Sequence, residues 1–232
     1  MSAVDNAHPI THMLVAIDGA GNRILGDAAE RGKTYYCPEC HAPVILKRGA
    51  VKIPHFAHAP DTHCEYGRGE GMRHLLMKWH VGRLFSRNQV EFEVKLLANR
   101  RADVVVRLGS NPFVVECQDS RLPVREWIFR TLDYSRAGYP VLWIWSLERL
   151  DSSLKQTREL FDAQLDYDGI PKELRYAHDK LGEIYLMDSE GALARCRFEL
   201  VKDFLHARAR LVPILQVREV EYKTFRPEGW QH

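Results

Sequence analysis

The chain has 232 residues, of which 45% are hydrophobic, 28% charged and 10% aromatic, a composition that excludes disordered and collagen-like proteins. The formal net charge of +2 is too small for the whole chain to act as a nucleic-acid polycation, although the basic surplus lies between residues 70 and 150. Because the sequence contains neither a long apolar run nor an export signal, it predicts a cytoplasmic protein without membrane contact.

The first part of the chain is rich in cysteine and histidine. Short strands are predicted at residues 13–17 and 33–36, and eight of the eleven histidines and three of the five cysteines lie in the first 80 residues. Because the cysteine count is odd and no export signal is present, these residues are expected to bind metal and not to form disulfides. The sequence therefore predicts a small zinc-binding β module over residues 1–66.

Four side chains are expected to hold a structural zinc ion. Cys37 and Cys40 form a CxxC knuckle, and Cys64 follows with 23 residues between it and Cys40. Tetrahedral zinc needs one more ligand, for which His58 is preferred and His55 is the alternative. Four protein ligands make a closed site, which is structural and not catalytic.

Two other interpretations of this cluster exist. The cysteines could be unrelated buried residues, although CxxC followed by His and Cys argues against that. The run His63-Cys64-Glu65 also matches the HxE of zinc deaminases. In that signature, however, HxE precedes the cysteine pair, and its histidine binds the metal, so the order here excludes a deaminase.

The middle of the chain predicts a mixed sheet covered by helices. The expected elements are a helix from Met72, strands at 91–97, 101–108 and 112–118, a helix over 123–136 and a strand at 140–145. This αβββαβ order defines an α/β fold (a mixed α+β sheet) over residues 67–150. The third and fourth strands are expected to be joined by a right-handed crossover.

An acidic pair is predicted within this core. Glu116 and Gln118 share one face of the third strand, and Asp103 interrupts the apolar second strand, so the two carboxylates can meet across neighbouring strands. Paired hard oxygens suit Mg²⁺ or Mn²⁺. Nearby arginines supply charge for phosphate groups; the alternative is that the carboxylates only pair with those arginines. These arginines are Arg100, Arg101, Arg107, Arg121, Arg125 and Arg130.

The first helix carries a polar stripe of Glu70, His74 and Lys78, spaced by four residues. The stripe is either a third contribution to the acidic site or a solvated helix face with i,i+4 pairs. The last third of the chain, residues 151–232, predicts a helix over 151–165 and a hairpin between 182–188 and 193–201, and it contains no chemical motif.

The sequence resembles the competence protein CoiA-like family, whose members are predicted nucleases with a zinc-binding N-terminal module. The resemblance covers about residues 13–146. It rests on these segments in family order: YYCPEC (35–40), HFAH (55–58), Cys64, EGMRHLLMK (70–78), RADVV (101–105), VVECQDS (114–120), RTLDY (130–134) and VLWIW (141–145).

The resemblance implies a restriction-endonuclease-like core of the PD-(D/E)xK superfamily. Asp103 takes the aspartate position, and Glu116 takes the first acidic position of the E-x-K element. Glu70 corresponds to an additional acidic residue that some members carry on a helix. Gln118 stands where lysine is common, so the missing charge is expected from Lys78 or Lys95. Substrate contacts are expected from His74, Arg101, Arg130 and Tyr134.

The sequence thus predicts a Mg²⁺- or Mn²⁺-dependent deoxyribonuclease with a structural zinc ion, and the resemblance adds DNA uptake, recombination or mobile-element processing as its setting. DNA is the expected partner. The sequence does not distinguish single-stranded, duplex and branched DNA. One rival is a non-catalytic nucleic-acid-binding protein on a nuclease-like fold. The other is a structural adaptor that binds protein through its zinc module.

Overall fold

The computed structural model describes residues 11–50, 52–60, 62–67, 69–109, 111–150, 163–166, 169–200 and 206–213. The chain divides into two compact units, residues 1–79 and 80–232. Within the described residues, no helix is long and apolar enough to cross a membrane.

The first unit contains a six-stranded antiparallel sheet in the order β1-β6-β5-β4-β2-β3. Its strands are β1 (His12–Met13), β2 (Val15–Ile17), β3 (Arg23–Leu25), β4 (Tyr35–Tyr36), β5 (Pro43–Lys47) and β6 (His55–His58). Met13, Tyr35, Val44 and Phe56 form the centre of its small core. The predicted strand at 13–17 is therefore two short strands, which pair with different neighbours.

The second part of the chain has the predicted element order. Helix α1 (Met72–Arg83) is followed by β7 (Val90–Leu97), β8 (Arg100–Leu108), β9 (Asn111–Gln118), α2 (Val124–Arg136) and β10 (Val141–Ser146). Strands β7, β8 and β9 are antiparallel neighbours, whereas β9 and β10 are parallel because α2 connects them. The predicted mixed α+β fold with an αβββαβ core is confirmed.

Local sequence explains the two ends of α2. Pro123 precedes the first helical residue, where its missing N–H group costs nothing. Gly138 follows the helix with φ of 84°, a left-handed conformation that glycine adopts without steric penalty. Trp127 and Leu132 on the buried face of α2 then pack in one core cluster with Trp143 and Trp145 of β10.

The last part of the chain extends the same sheet. Strands β11 (Ala163–Asp166), β12 (Ile184–Met187), β13 (Leu193–Leu200) and β14 (His206–Pro213) complete an eight-stranded sheet in the order β11-β14-β13-β12-β10-β9-β8-β7. Helix α3 (Lys172–Leu181) packs Leu174 into the core shared with α2. The predicted hairpin is confirmed as the antiparallel pair β12 and β13.

The predicted helix over residues 151–165 is wrong at its end, where Ala163–Asp166 form strand β11. Residues 151–162 of that prediction lie outside the described residues. Strand β11 pairs antiparallel with β14, whose paired residues lie 40 to 46 positions later in the chain. A strand stabilised by such a distant partner leaves no local periodicity to detect.

Candidate functional site

A tight knuckle positions the first two cysteines of the N-terminal unit. The backbone N–H of Cys37 donates to the carbonyl of Ala42 (2.9 Å), and the N–H of His41 donates to the carbonyl of Cys37 (3.0 Å). His41 has a φ of 58°, which reverses the chain directly after Cys40. His41 is thereby part of the turn.

The structure brings Cys37, Cys40, His58 and Cys64 together, with one ligand atom from each lying within 4.8 Å of the others. The two sulfur atoms of Cys37 and Cys64 are 3.8 Å apart, and Cys40 Sγ is 3.4 Å from His58 Nε2. Zinc bound tetrahedrally at about 2.3 Å from sulfur and about 2.0 Å from nitrogen requires edges of about 3.8 and 3.5 Å. These side chains therefore fit a metal ion such as zinc.

Strand β6 separates the two histidines that compete for the fourth ligand position. Side chains in a strand alternate between faces, so His55 and His58, three residues apart, lie on opposite faces. His58 is on the face of the cysteines. Its Nδ1 is 2.5 Å from Thr11 Oγ1, an arrangement in which Nδ1–H donates to the hydroxyl and Nε2 points to the metal position.

Backbone amides donate hydrogen bonds to two of the cysteine sulfur atoms. The N–H of Glu39 donates to Cys37 Sγ (3.3 Å), and the N–H of Tyr66 donates to Cys64 Sγ (3.4 Å). Burial raises the pKa of the Cys37 thiol to about 12 and lowers the pKa of His58. A neutral histidine is ready to bind metal, whereas thiols buried in this way ionise when a cation compensates their charge.

The polar stripe of Glu70, which lies two residues before helix α1, and of His74 and Lys78 within the helix is not a solvated face. Lys78 is fully buried, and its Nζ lies 2.5 Å from Glu70 Oε2. His74 lies between them in sequence and is half-buried. A buried lysine needs an acidic partner, and Glu70 provides it.

The predicted acidic pair lies on adjacent strands in the second unit. Val104 of β8 is paired with Val115 of β9, and the same register makes Asp103 and Glu116 the next opposed residues. Asp103 is 7% exposed, and its Oδ2 accepts the N–H of Cys117 at 2.9 Å. Glu116 is completely buried. Two acidic residues are thus neighbours on adjacent strands near the end of β9.

Helix α2 supplies two partners for Glu116. Arg130 Nη2 is 2.6 Å from Glu116 Oε2, and the Tyr134 hydroxyl donates to Oε1 at 2.9 Å. Burial opposes the charge on Arg130, but the charges of Glu116 and Asp103 outweigh burial and raise the pKa of Arg130. Burial and the charge of Glu116 also raise the pKa of Tyr134, which keeps its hydroxyl protonated as a donor.

The other predicted site residues of this unit have different surroundings. Gln118 is 8% exposed, and its Nε2 donates to the carbonyl (2.9 Å) and hydroxyl (3.1 Å) of Ser120. Arg101 donates to the carbonyl of Glu93 (3.1 Å), whereas Lys95 is exposed.

The arginines expected near phosphate groups fall into two kinds. Arg100 and Arg107 form ion pairs with carboxylates, as Arg130 does. Arg121 and Arg125, which follow β9, are exposed.

Glu93 was missed by the sequence analysis. Alternation along β7 places it with exposed Glu91, but Glu93 is 1% exposed and has a φ of 54°. The adjacent residues of β7, Phe92 and Val94, pair with Val104 and Ala102 of β8. These two partners lie on either side of Asp103. The left-handed backbone at Glu93 breaks the alternation, and no local sequence signal marks it.

Acidic residues opposed on adjacent strands of an αβββαβ core are typical of a nuclease-like protein, and a Cys₃His cluster that could hold a metal ion precedes that core. Comparison with known families agrees with both parts. Residues 25–67 match the competence protein CoiA N-terminal domain, and residues 70–168 match the competence protein CoiA nuclease-like domain. The two matches together span more than half of the chain, which therefore belongs to the competence protein CoiA family. The resemblance found in the sequence is confirmed.

A curated relative is the Competence protein CoiA of Bacillus subtilis (strain 168). It is 26% identical over 125 residues, which cover 51% of this chain and 33% of the relative. The chain thus spans about a third of the length of that relative. No solved structure matches the chain significantly.

Proposed function

We propose that this protein is a metal-dependent nuclease that hydrolyses phosphodiester bonds in DNA, as part of DNA uptake, recombination or mobile-element processing. The observation that carries the proposal is the pair of opposed carboxylates, Asp103 on β8 and Glu116 on β9. The competence-protein relative supports the setting.

The donor set fits a hard divalent cation. Asp103 and Glu116 offer carboxylate oxygens, which Mg²⁺ and Mn²⁺ prefer over nitrogen or sulfur. When bound, such an ion lowers the pKa of water and neutralises charge on the phosphate group. Glu70 is proposed as an additional acid on the basis of the family resemblance, with His74 and Arg101 as substrate contacts.

The protein itself positions Glu116. Tyr134 and Arg130 hold one carboxylate oxygen each, which fixes the orientation of a side chain that could otherwise rotate. Exposed Arg121 and Arg125 follow the strand that carries Glu116 and supply positive charge for the DNA backbone. Arg130 and Tyr134 are therefore proposed chiefly as positioning residues, and their contact with DNA remains a prediction.

Gln118 cannot carry the charge that lysine supplies at this position, and its amide is bound to Ser120. The replacement charge is proposed to come from Lys78 or Lys95. Lys78 is buried and held by Glu70, so it is preorganised, whereas Lys95 is exposed. A charge held in place loses less conformational freedom when the substrate binds.

The zinc ion is proposed to have a structural role. Cys37, Cys40, His58 and Cys64 provide four ligands, which leaves no position for water or substrate in a tetrahedral site. The free energy of metal binding would then contribute to the folding of the first unit.

A second candidate function is DNA binding without cleavage. The ion pair between Glu116 and Arg130 favours it, because the guanidinium already compensates the carboxylate that a catalytic cation would use. Gln118 in place of lysine points in the same direction. Both functions require phosphate contacts, so only a cleavage assay separates them.

The test compares Asp103→Asn and Glu116→Gln with wild-type protein on single-stranded, duplex and branched DNA. Asn keeps an acceptor for the N–H of Cys117, and Gln keeps an acceptor for Tyr134, so both variants preserve hydrogen bonds while losing charge. Each is expected to lose at least about 100-fold in cleavage rate. Glu91→Gln, an exposed carboxylate on β7 paired with Arg107, is the matched control and should retain activity.

Metal dependence should be measured by removing and restoring Mg²⁺ or Mn²⁺ while monitoring zinc content. EDTA would also strip a zinc site and confound the two metals. Wild-type protein that binds DNA but cleaves none of the three forms with either ion would favour the second function. Full cleavage by both carboxylate variants would refute the assignment of the site.

A further inference from the structure

His55 belongs to a second cluster, on the face of the N-terminal sheet away from the cysteines. Its ring is 3% exposed and meets the ring of His12 edge to face, with the ring centroids 5.0 Å apart. His12 of β1 is paired with Ala57 of β6, and Ala57 and His55 lie on one face because they are two residues apart. The strand register thus brings two histidines together.

Two lysines accompany the histidine pair. Lys47 of β5 is paired directly with His55, so both side chains leave the sheet on the same face. Lys52 lies in the turn between these strands, and both lysines are exposed. Burial, the charge of His55 and the charges of Lys52 and Lys47 all lower the pKa of His12. The two lysine ammonium groups therefore make the electrostatic potential at this cluster positive.

One nitrogen of the cluster has an unmet requirement. His12 Nδ1 is buried, and no hydrogen-bond partner for it is present among the described residues. His55 Nδ1 lies 2.8 Å from the carbonyl of Ile53 and must carry the proton of that bond, which leaves Nε2 as the ring's other polar atom. A buried polar atom without a partner costs free energy that a ligand can recover.

The charges decide between a metal ion and an anion. Two histidine nitrogens could serve a transition metal, but two neighbouring ammonium groups repel a cation. The same groups attract an anion, and ammonium groups are donors for its oxygens, as are an Nδ1–H of His12 and, when the ring is protonated, the Nε2–H of His55. A compact anion with several acceptor oxygens matches this set.

We propose that His12, His55, Lys47 and Lys52 form a phosphate-binding site, and that its ligand is a backbone phosphate of DNA. The proposal rests on the proposed function for the choice of DNA as the source of the phosphate. The zinc module would then act as a DNA-docking element. Strand β6 would serve both sites, with His58 at the metal position on one face of the sheet and His55 at the phosphate on the other.

The first experiment titrates inorganic phosphate into the zinc-loaded, ¹⁵N-labelled full chain and follows the histidine ring nitrogens by NMR. Saturable shifts of His12 and His55 are expected, with His178 in the second unit as an internal reference. The variant Lys47→Gln/Lys52→Gln should lose the shifts. Lys33→Gln, an exposed lysine of the same unit paired with Glu30, should keep them. No saturable shift in wild-type protein would overturn the site.

The second experiment measures affinity for labelled DNA by anisotropy without Mg²⁺ or Mn²⁺, over a series of salt concentrations. The double variant should bind about tenfold more weakly at low salt, and the slope of log K against log salt should fall by about two. Lys33→Gln should match wild type. Phosphate-induced shifts with unchanged DNA affinity would assign the site to free phosphate and overturn the DNA part of the proposal.

The two proposals fail in different ways. Loss of DNA affinity in the lysine variant, with cleavage by wild-type protein absent, supports this site and refutes the nuclease. Cleavage that depends on Asp103, together with unchanged DNA affinity in the lysine variant, supports the nuclease and refutes the DNA-binding role of this site.

Discussion

The buried ion pair between Arg130 and Glu116 allows a quantitative test of how α2 supports the acidic site. Glu116 is fully buried, whereas the Arg130 side chain is 22% exposed and its guanidinium lies over Trp143, 5.6 Å from the ring centre. Arg130→Met removes the charge but keeps much of the aliphatic length. The carboxylate then remains buried without its guanidinium.

The two partners are not equivalent in energy. Removing one partner of a buried pair costs about 3–5 kcal/mol, so Arg130→Met should lower the free energy of unfolding by that amount. Glu116→Gln should cost less, about 1–3 kcal/mol, because Arg130 reaches solvent and Gln still accepts from Tyr134. In the double variant no buried charge is stranded, and its loss should be about 2 kcal/mol smaller than the sum of the single losses.

Urea unfolding followed by tryptophan fluorescence suits this cycle, because Trp127, Trp143 and Trp145 lie in the core beside the pair. Circular dichroism on the same samples checks that both probes report one transition. A coupling energy below about 0.5 kcal/mol would refute the conclusion that the pair is energetically coupled.

Other predictions concern the metal sites. Freshly purified protein should contain one zinc ion per chain, and Cys64→Ser should lower both zinc content and melting temperature; elemental analysis without zinc would contradict this. His58→Ala should resemble the cysteine variant, whereas His55→Ala should retain zinc, and the reverse ranking would exchange their roles. Gln118→Lys introduces a positive charge at this position and should preserve or increase the cleavage rate of the proposed nuclease, whereas in a protein that only binds DNA it would alter affinity alone.

Local sequence patterns were sufficient to predict the elements of the core. The three- and four-residue spacing of apolar residues predicted α1 and α2, and runs of valine and other apolar residues predicted β8 and β9. The spacing of Asp103 and Glu116 across a short hairpin also indicated that they can meet across neighbouring strands. These features depend on neighbours that are close in sequence.

Tertiary structure decided which side chains the predicted elements bring together. HFAH was not recognised as a strand, so the sequence left His55 and His58 as alternatives, while β6 separates them by simple alternation. Local patterns left Lys78 either at the acidic site or on a solvated helix face, and alternation placed Glu93 with exposed Glu91, yet both residues are buried.

Distant partners explain the remaining differences between sequence and structure. Strand β11 exists through its pairing with β14, and Glu116 is held by a helix that begins after the strand has ended. Sequence determines the period of an element and the chemistry of its side chains. The faces that become buried, and the partner that each charge meets, depend on pairings between residues far apart in the chain.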